Sequence, residues 1–182
     1  ESAASLIRTY EGQYIPGLLQ TDDYLRAVVH GAHLTNTTDP SDEVGRRVRL
    51  RMARQLLLTR PQPPRLWAVI DEAALRRPVG GREVMRGQLE RLIDATKLPN
   101  ITLQLLPFSA GAHPAMAGAF SVLRFGDQEL PDVVYLEHLT GASYLEKRDE
   151  VERYLDIMEF LCLQAEPPAR TVELLEAILE EL

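Results

Sequence analysis

Residues 119–137 read AFSVLRFGDQELPDVVYLE, and the fold class turns on this stretch. Ala119 to Phe125 is rich in aromatic and β-branched residues, which suit a pleated, half-buried surface. Gly126 to Pro131 carries turn formers, and Val133 to Glu137 is a second strand-like run. Two strands joined by so short a connection pair antiparallel. Working outward, Ile101 to Leu106 alternates, with Ile101, Leu103 and Leu105 on one face. Leu66 to Ile70 is an apolar run between turn residues and predicts another strand. Tyr144-Leu145 offers a further short one.

Helical spacing accounts for most of the rest. Ser2 to Gln13 places Ala3, Leu6, Ile7 and Tyr10 on one helical face, and Pro16-Gly17 interrupts it. Thr21 can cap a second helix, with Tyr24, Leu25, Val28 and Val29 as its apolar stripe. Ser41 opens a third, which runs to about Thr59 on Val44, Val48, Met52 and Leu56. Arg82 to Thr96, Asp149 to Ala165 and Arg170 to Leu182 complete the set. The expectation is an α+β fold: a mostly antiparallel sheet of about four strands flanked by about six helices. Residues 1–182 are read as a single regulatory domain.

The chain has 182 residues, of which 45% are hydrophobic, enough to offset chain entropy and to exclude disorder as the main state. Lys plus Arg is 20 against 27 Asp plus Glu, a net charge of −7. An acidic chain repels phosphate unless its basic residues are segregated. Cys162 is the single cysteine, so no intrachain disulfide can form. No apolar run is long enough to cross a membrane and no signal peptide is visible, so the expected compartment is the cytoplasm. The chain opens on Glu1 rather than Met, which suggests a trimmed piece of a longer protein.

Basic charge is concentrated between Arg46 and Arg60, a stretch with no acid, where Arg47, Arg51 and Arg54 share a helix face. Such a face suits phosphate or an acidic partner, or it is a solvated face whose arginine stems cover core. Asp71-Glu72 end one predicted strand, Glu137-His138 end another, and His113 lies in a loop between strands. Carboxylates and a histidine can do acid–base work if the strand ends align, or they can cap turns. Asp71 and Glu72 can equally cap the turn at Ala73-Ala74-Leu75. His30 and His33 have helical ligand spacing but no Cys pair and no His-Glu-x-x-His, so no metal or cofactor is expected. No phosphate-binding glycine loop and no nucleophile elbow is present, so no catalytic set is assembled. A small ligand would be sought between sheet and helices near Trp67, Phe120 and Tyr135.

Several segments, in order, resemble a known arrangement. They are Tyr14-Ile15-Pro16-Gly17-Leu18-Leu19-Gln20-Thr21, Arg51-Met52-Ala53-Arg54-Gln55, Asp71-Glu72-Ala73-Ala74-Leu75, Leu103-Gln104-Leu105-Leu106-Pro107, Gly118-Ala119-Phe120-Ser121 and Val134-Tyr135-Leu136-Glu137. Together they are similar to the C-terminal domain, itself of unknown function, of actinobacterial helix-turn-helix regulators of the xenobiotic-response-element type, the WhiJ-like group. The resemblance implies transcriptional regulation, with DNA read by an N-terminal helix-turn-helix that this chain lacks. It also implies a small acidic partner protein, often encoded next door, and it brings no established catalytic residues to carry over. A homodimer is expected, with the apolar stripe of the last helix available for pairing or for packing on the body. The competing expectations are a hydrolase-like enzyme using Asp71, Glu72, Glu137 and a histidine, and auxiliary DNA contact through Arg47, Arg51 and Arg54.

Overall fold

The computed structural model describes residues 3–32, 41–126, 130–138 and 141–182, without the side chains of 32, 41–44 and 47. Its centre is one six-stranded mixed sheet. The strands are β1 (Ala4–Glu11), β2 (Arg65–Asp71), β3 (Ile101–Leu106), β4 (Phe120–Phe125), β5 (Val133–His138) and β6 (Gly141–Leu145), in spatial order β3-β2-β1-β4-β5-β6. β1, β2 and β3 run parallel, whereas β4, β5 and β6 form an antiparallel meander joined to β1 through β4. Among the described residues six α-helices accompany it: α1 (Asp22–Ala32), α2 (Ser41–Gln55), α3 (Glu72–Arg76), α4 (Arg82–Ala95), α5 (Arg148–Gln164) and α6 (Pro168–Glu181).

The α+β class stands, but the sheet differs from the expected four mostly antiparallel strands in two ways. The segment expected to be the first helix is β1, a central strand of the sheet. A central strand is buried on both faces, so its apolar residues lose the alternation that marks a strand. Ala4, Ile7, Thr9 and Tyr10 are all buried, a pattern that a helical spacing also fits. Its content of Ile, Thr and Tyr favours the extended form. The second difference is direction. The chain between β1 and β2 holds α1 and α2, and that between β2 and β3 holds α3 and α4, which is the length a parallel crossover needs. The turn expected at Ala73 is the helix α3, with Asp71 as its N-cap.

Side-chain alternation sends the two sheet faces to different cores. On one face Ile7, Leu66, Ala68, Ile70, Leu103 and Leu105 pack with Tyr24 of α1, Leu89 and Leu92 of α4, and Leu175 and Ile178 of α6. On the other, Tyr10, Val69, Phe120, Val122 and Val134 meet Val151, Met158 and Leu161 of α5. α6 therefore spends its apolar stripe on the body. α2 leans on α1 through Val48 and Met52 against Leu25 and Val29, rather than on β4 and β5.

The Tyr14–Thr21 segment is held by a knot of buried hydrogen bonds. The Ile15 amide donates to the Tyr24 hydroxyl at 3.2 Å, and the Gln20 side chain donates to the Ile15 carbonyl at 2.7 Å. Gln88 of α4, fully buried, accepts from the Thr21 amide at 2.7 Å and donates to the Leu19 carbonyl at 2.9 Å. Gln55 of α2 donates to the carbonyls of Gly17 and Gln20. The outer edge of β3 is closed too: the Glu166 amide donates to the Leu105 carbonyl, and the Leu105 amide to the Thr171 hydroxyl.

Candidate functional site

Parallel strands bring their carboxyl ends to one rim, where α/β sheets place ligands. β1 ends in Tyr10-Glu11, β2 in Asp71 and β3 in Leu106, and the connection from β3 to β4 carries His113. Tyr10, Asp71 and His113 meet beneath the α5 face. The Tyr10 hydroxyl is 3.4 Å from Asp71 Oδ2 and 3.5 Å from His113 Nε2, and His113 Nε2 is 3.7 Å from Asp71 Oδ2. Burial and the Asp71 charge hold the Tyr10 phenol well above its usual range. Asp71 has a second duty, because its Oδ1 accepts from the Ala73 amide at 2.8 Å and caps α3. His113 Nδ1 is buried without a hydrogen-bond partner among the described residues, and the His113 side chain is only 6% exposed.

Asp71→Ala removes the α3 cap and leaves Tyr10 and His113 without their acid. The expected cost is about 1–2 kcal/mol in urea denaturation, since a lost cap alone costs roughly 0.5–2 kcal/mol. Asp71→Asn keeps the capping oxygen and should recover most of it.

The opposite sheet face carries the larger feature. Because α2 leans on α1, a groove of about 620 Å³ opens between the end of α2 and the antiparallel strands. Ala53, Arg54, Leu56, Leu57 and Arg60 form one wall, and Ser121, Leu123, Tyr135 and Tyr144 the other. The Tyr135 and Tyr144 rings lie 5.3 Å apart, and Ser121 shares a 2.9 Å hydrogen bond with Thr9 of β1. Strand register places Glu11 two residues beyond Thr9 and Glu137 two beyond Tyr135, on this same face. One helical turn before Arg54, Arg51 reaches Glu137 at 3.5 Å. Burial, aided by Glu137 and opposed by Arg51, raises the Glu11 carboxyl to about 8. The groove is thus lined by apolar side chains (Leu56, Leu57, Leu123), hydroxyl-bearing ones (Ser121, Tyr135, Tyr144) and two arginines, Arg54 and Arg60.

The structure distributes the sequence candidates over both faces. Asp71 and His113 come together, joined by Tyr10. Glu72 turns aside: it accepts from the Phe108 amide at 3.0 Å and pairs with Arg76. Glu137 lies on the other face of the sheet with Arg51, so the four groups required of a hydrolase do not converge. Trp67, Phe120 and Tyr135 do not share a pocket either. Trp67 donates to Gln104 at 2.7 Å and receives the Arg8 guanidinium over its ring, Phe120 packs under α5, and Tyr135 lines the groove. Arg54 lines the groove, whereas the side chain of Arg47 and the whole of His33 lie outside the described residues. Tyr10, Glu11, Ser121 and Tyr144 were not singled out by sequence. The first two sit at a strand end hidden inside an apparent helix, so reading β1 as a strand was the signal that would have found them. Among the described residues, no group of three or more His, Cys, Asp and Glu is placed to hold a metal, and no helix is long and apolar enough to cross a membrane.

These features define an α+β chain built on one mixed sheet, with a parallel half, an antiparallel half and an arginine-walled groove. The chain belongs to the family described as domain of unknown function (DUF5753), whose model matches residues 1–177. No curated protein and no solved structure matches it.

Proposed function

We propose that this chain is the C-terminal regulatory domain of a cytoplasmic DNA-binding regulator of the WhiJ-like helix-turn-helix type, and that its groove takes an acidic segment of a small partner protein. DNA reading belongs to the helix-turn-helix of the full-length protein, and this domain supplies the regulatory input. The observation that supports the reading is the groove itself: exposed Leu56 and the Tyr135–Tyr144 pair offer apolar contact, and Arg54 and Arg60 line the wall beside them. Apolar anchors beside arginine suit an amphipathic, acidic occupant. The hydrolase alternative ranks below it, because Asp71 and His113 are turned into the protein with Tyr10 rather than toward an open pocket. Auxiliary DNA contact ranks below it as well, since Arg51 is engaged by Glu137.

The test is titration calorimetry of the full-length regulator with the small acidic partner protein that the resemblance implies. Arg54→Glu and Leu56→Asp change exposed side chains, so melting temperature should hold. Each is expected to weaken binding about tenfold or more, as loss of an interface anchor does. Unchanged affinity in both variants overturns the groove as the docking site. Displacement of the partner by a small molecule, with no direct protein contact at these residues, would point to a ligand site instead.

A further inference from the structure

The two edges of the sheet are treated differently. β3 is closed by Glu166 and Thr171, which take up the backbone groups of Leu105. β6 pairs with β5 on its inner side, and among the described residues no backbone hydrogen bond reaches its outer side. An open strand edge is a template for another strand, and proteins usually protect one with charge, proline or a bulge. β6 reads Gly141-Ala142-Ser143-Tyr144-Leu145 and carries none of these. Its Tyr144 is 64% exposed.

From these features we infer that β6 is a self-association edge, which pairs antiparallel with β6 of a second copy about a two-fold axis at Ser143. The side chains select this occupant and this register. With Ser143 opposite its own copy, Ala142 faces Tyr144 of the partner and Gly141 faces Leu145, so each large residue meets a small one on both sides of the axis. Directly opposed residues share a sheet face. Ala142 and Tyr144 stand opposite Glu137 and Tyr135 in β5, so the pair lies on the groove face. No charge on the strand repels its copy, as like charges directly opposed would. A second copy thereby extends the sheet from six strands to twelve, twice the number in one chain. The edge alone falls short of the roughly 1,000 Å² of a stable complex, so the dimer is concentration-dependent. The inference does not rest on the partner-binding role of the groove.

Sedimentation equilibrium of this chain over roughly 10–500 micromolar tests it, together with two double variants. The wild type should rise from the 20.5 kDa monomer toward twice that mass. Ala142→Lys with Tyr144→Lys sets like charges opposite each other and should weaken association at least tenfold, in a chain that circular dichroism shows still folded. Ala142→Lys with Tyr144→Glu sets opposite charges across the axis at the same two positions and leaves the lysine beside Glu137 of β5. It should restore the dimer and make it salt-sensitive, an outcome that general disruption of β6 would not give. A wild type that stays monomeric throughout overturns the inference. So does a double-lysine variant that associates like the wild type, or a charge-pair variant no better than the double-lysine one. Binding of the acidic protein through Arg54 and Leu56 is read separately, so either result can fail without the other.

Discussion

Gln88→Leu is expected to lower the unfolding free energy by about 2–5 kcal/mol, since each buried polar group left unpaired costs roughly 1–3 kcal/mol. Gln88 is fully buried on α4 and uses both ends of its amide, accepting from the Thr21 amide and donating to the Leu19 carbonyl. Leucine fills similar space but satisfies neither backbone group. Both groups lie in the turn that carries the chain from β1 into α1, so the loss spreads to the packing of Leu19 and Tyr24. Gln55→Leu provides the contrast. Its side chain also holds this turn, through the carbonyls of Gly17 and Gln20, but it is only half-buried and water can replace it. Its cost should stay near 1 kcal/mol, within the usual net worth of a hydrogen bond. Urea denaturation of both variants decides the matter. A Gln88→Leu loss no larger than that of Gln55→Leu would show that the knot does not hold the turn.

The second large effect is a pH dependence centred on Glu11. Its carboxyl is raised to about 8 by burial first, then by Glu137, with Arg51 acting in the opposite direction. The folded state therefore holds this proton more tightly than the unfolded state, whose glutamate titrates near 4.5. Stability linked to Glu11 is fully present below the unfolded value, falls as pH rises, and is lost once pH passes about 8. The size is on the order of a few kcal/mol, because each tenfold gain in proton affinity is worth roughly 1.4 kcal/mol. Glu11→Gln mimics the protonated acid and cannot ionise. It should match the wild type at pH 4 and melt higher at pH 9. Thermal melts across that range measure the difference between the two proteins. A difference that does not grow with pH would remove Glu11 as its source.

Much of the framework was readable in the sequence. The runs at Leu66–Ile70, Ile101–Leu106, Ala119–Phe125 and Val133–Glu137 are strands within a residue or two of their observed ends. Turn residues and β-branched content mark such segments locally. The helices from Arg82, Asp149 and Arg170 follow in the same way, because each buries one stripe and leaves the other face wet. What could not be read was β1, whose burial on both faces erased the alternation. A helix-spaced run lay between two strands at Arg82–Thr96, so a parallel crossover was available in the sequence, yet the antiparallel meander at the other end carried the stronger local signal. The candidate site suffered for the same reason. Asp71 and His113 were named, but Tyr10, which binds them both, was hidden in β1.

Local sequence signals carried the α+β class, the antiparallel pair around Gly126–Pro131, most helix positions and an arginine-rich face on α2. Those properties follow from local propensity and periodicity, which act over a few residues. Long-range contacts set the sheet order, the placement of Glu137 and Asp71 on opposite faces, the groove beside α2, and the contrast between the closed edge at β3 and an edge at β6 that is open among the described residues. Each of these depends on which segments meet across long stretches of chain. A side chain's face is fixed only when its strand acquires a register with its neighbours, and a slip of one residue would send every one of these groups to the other side of the sheet.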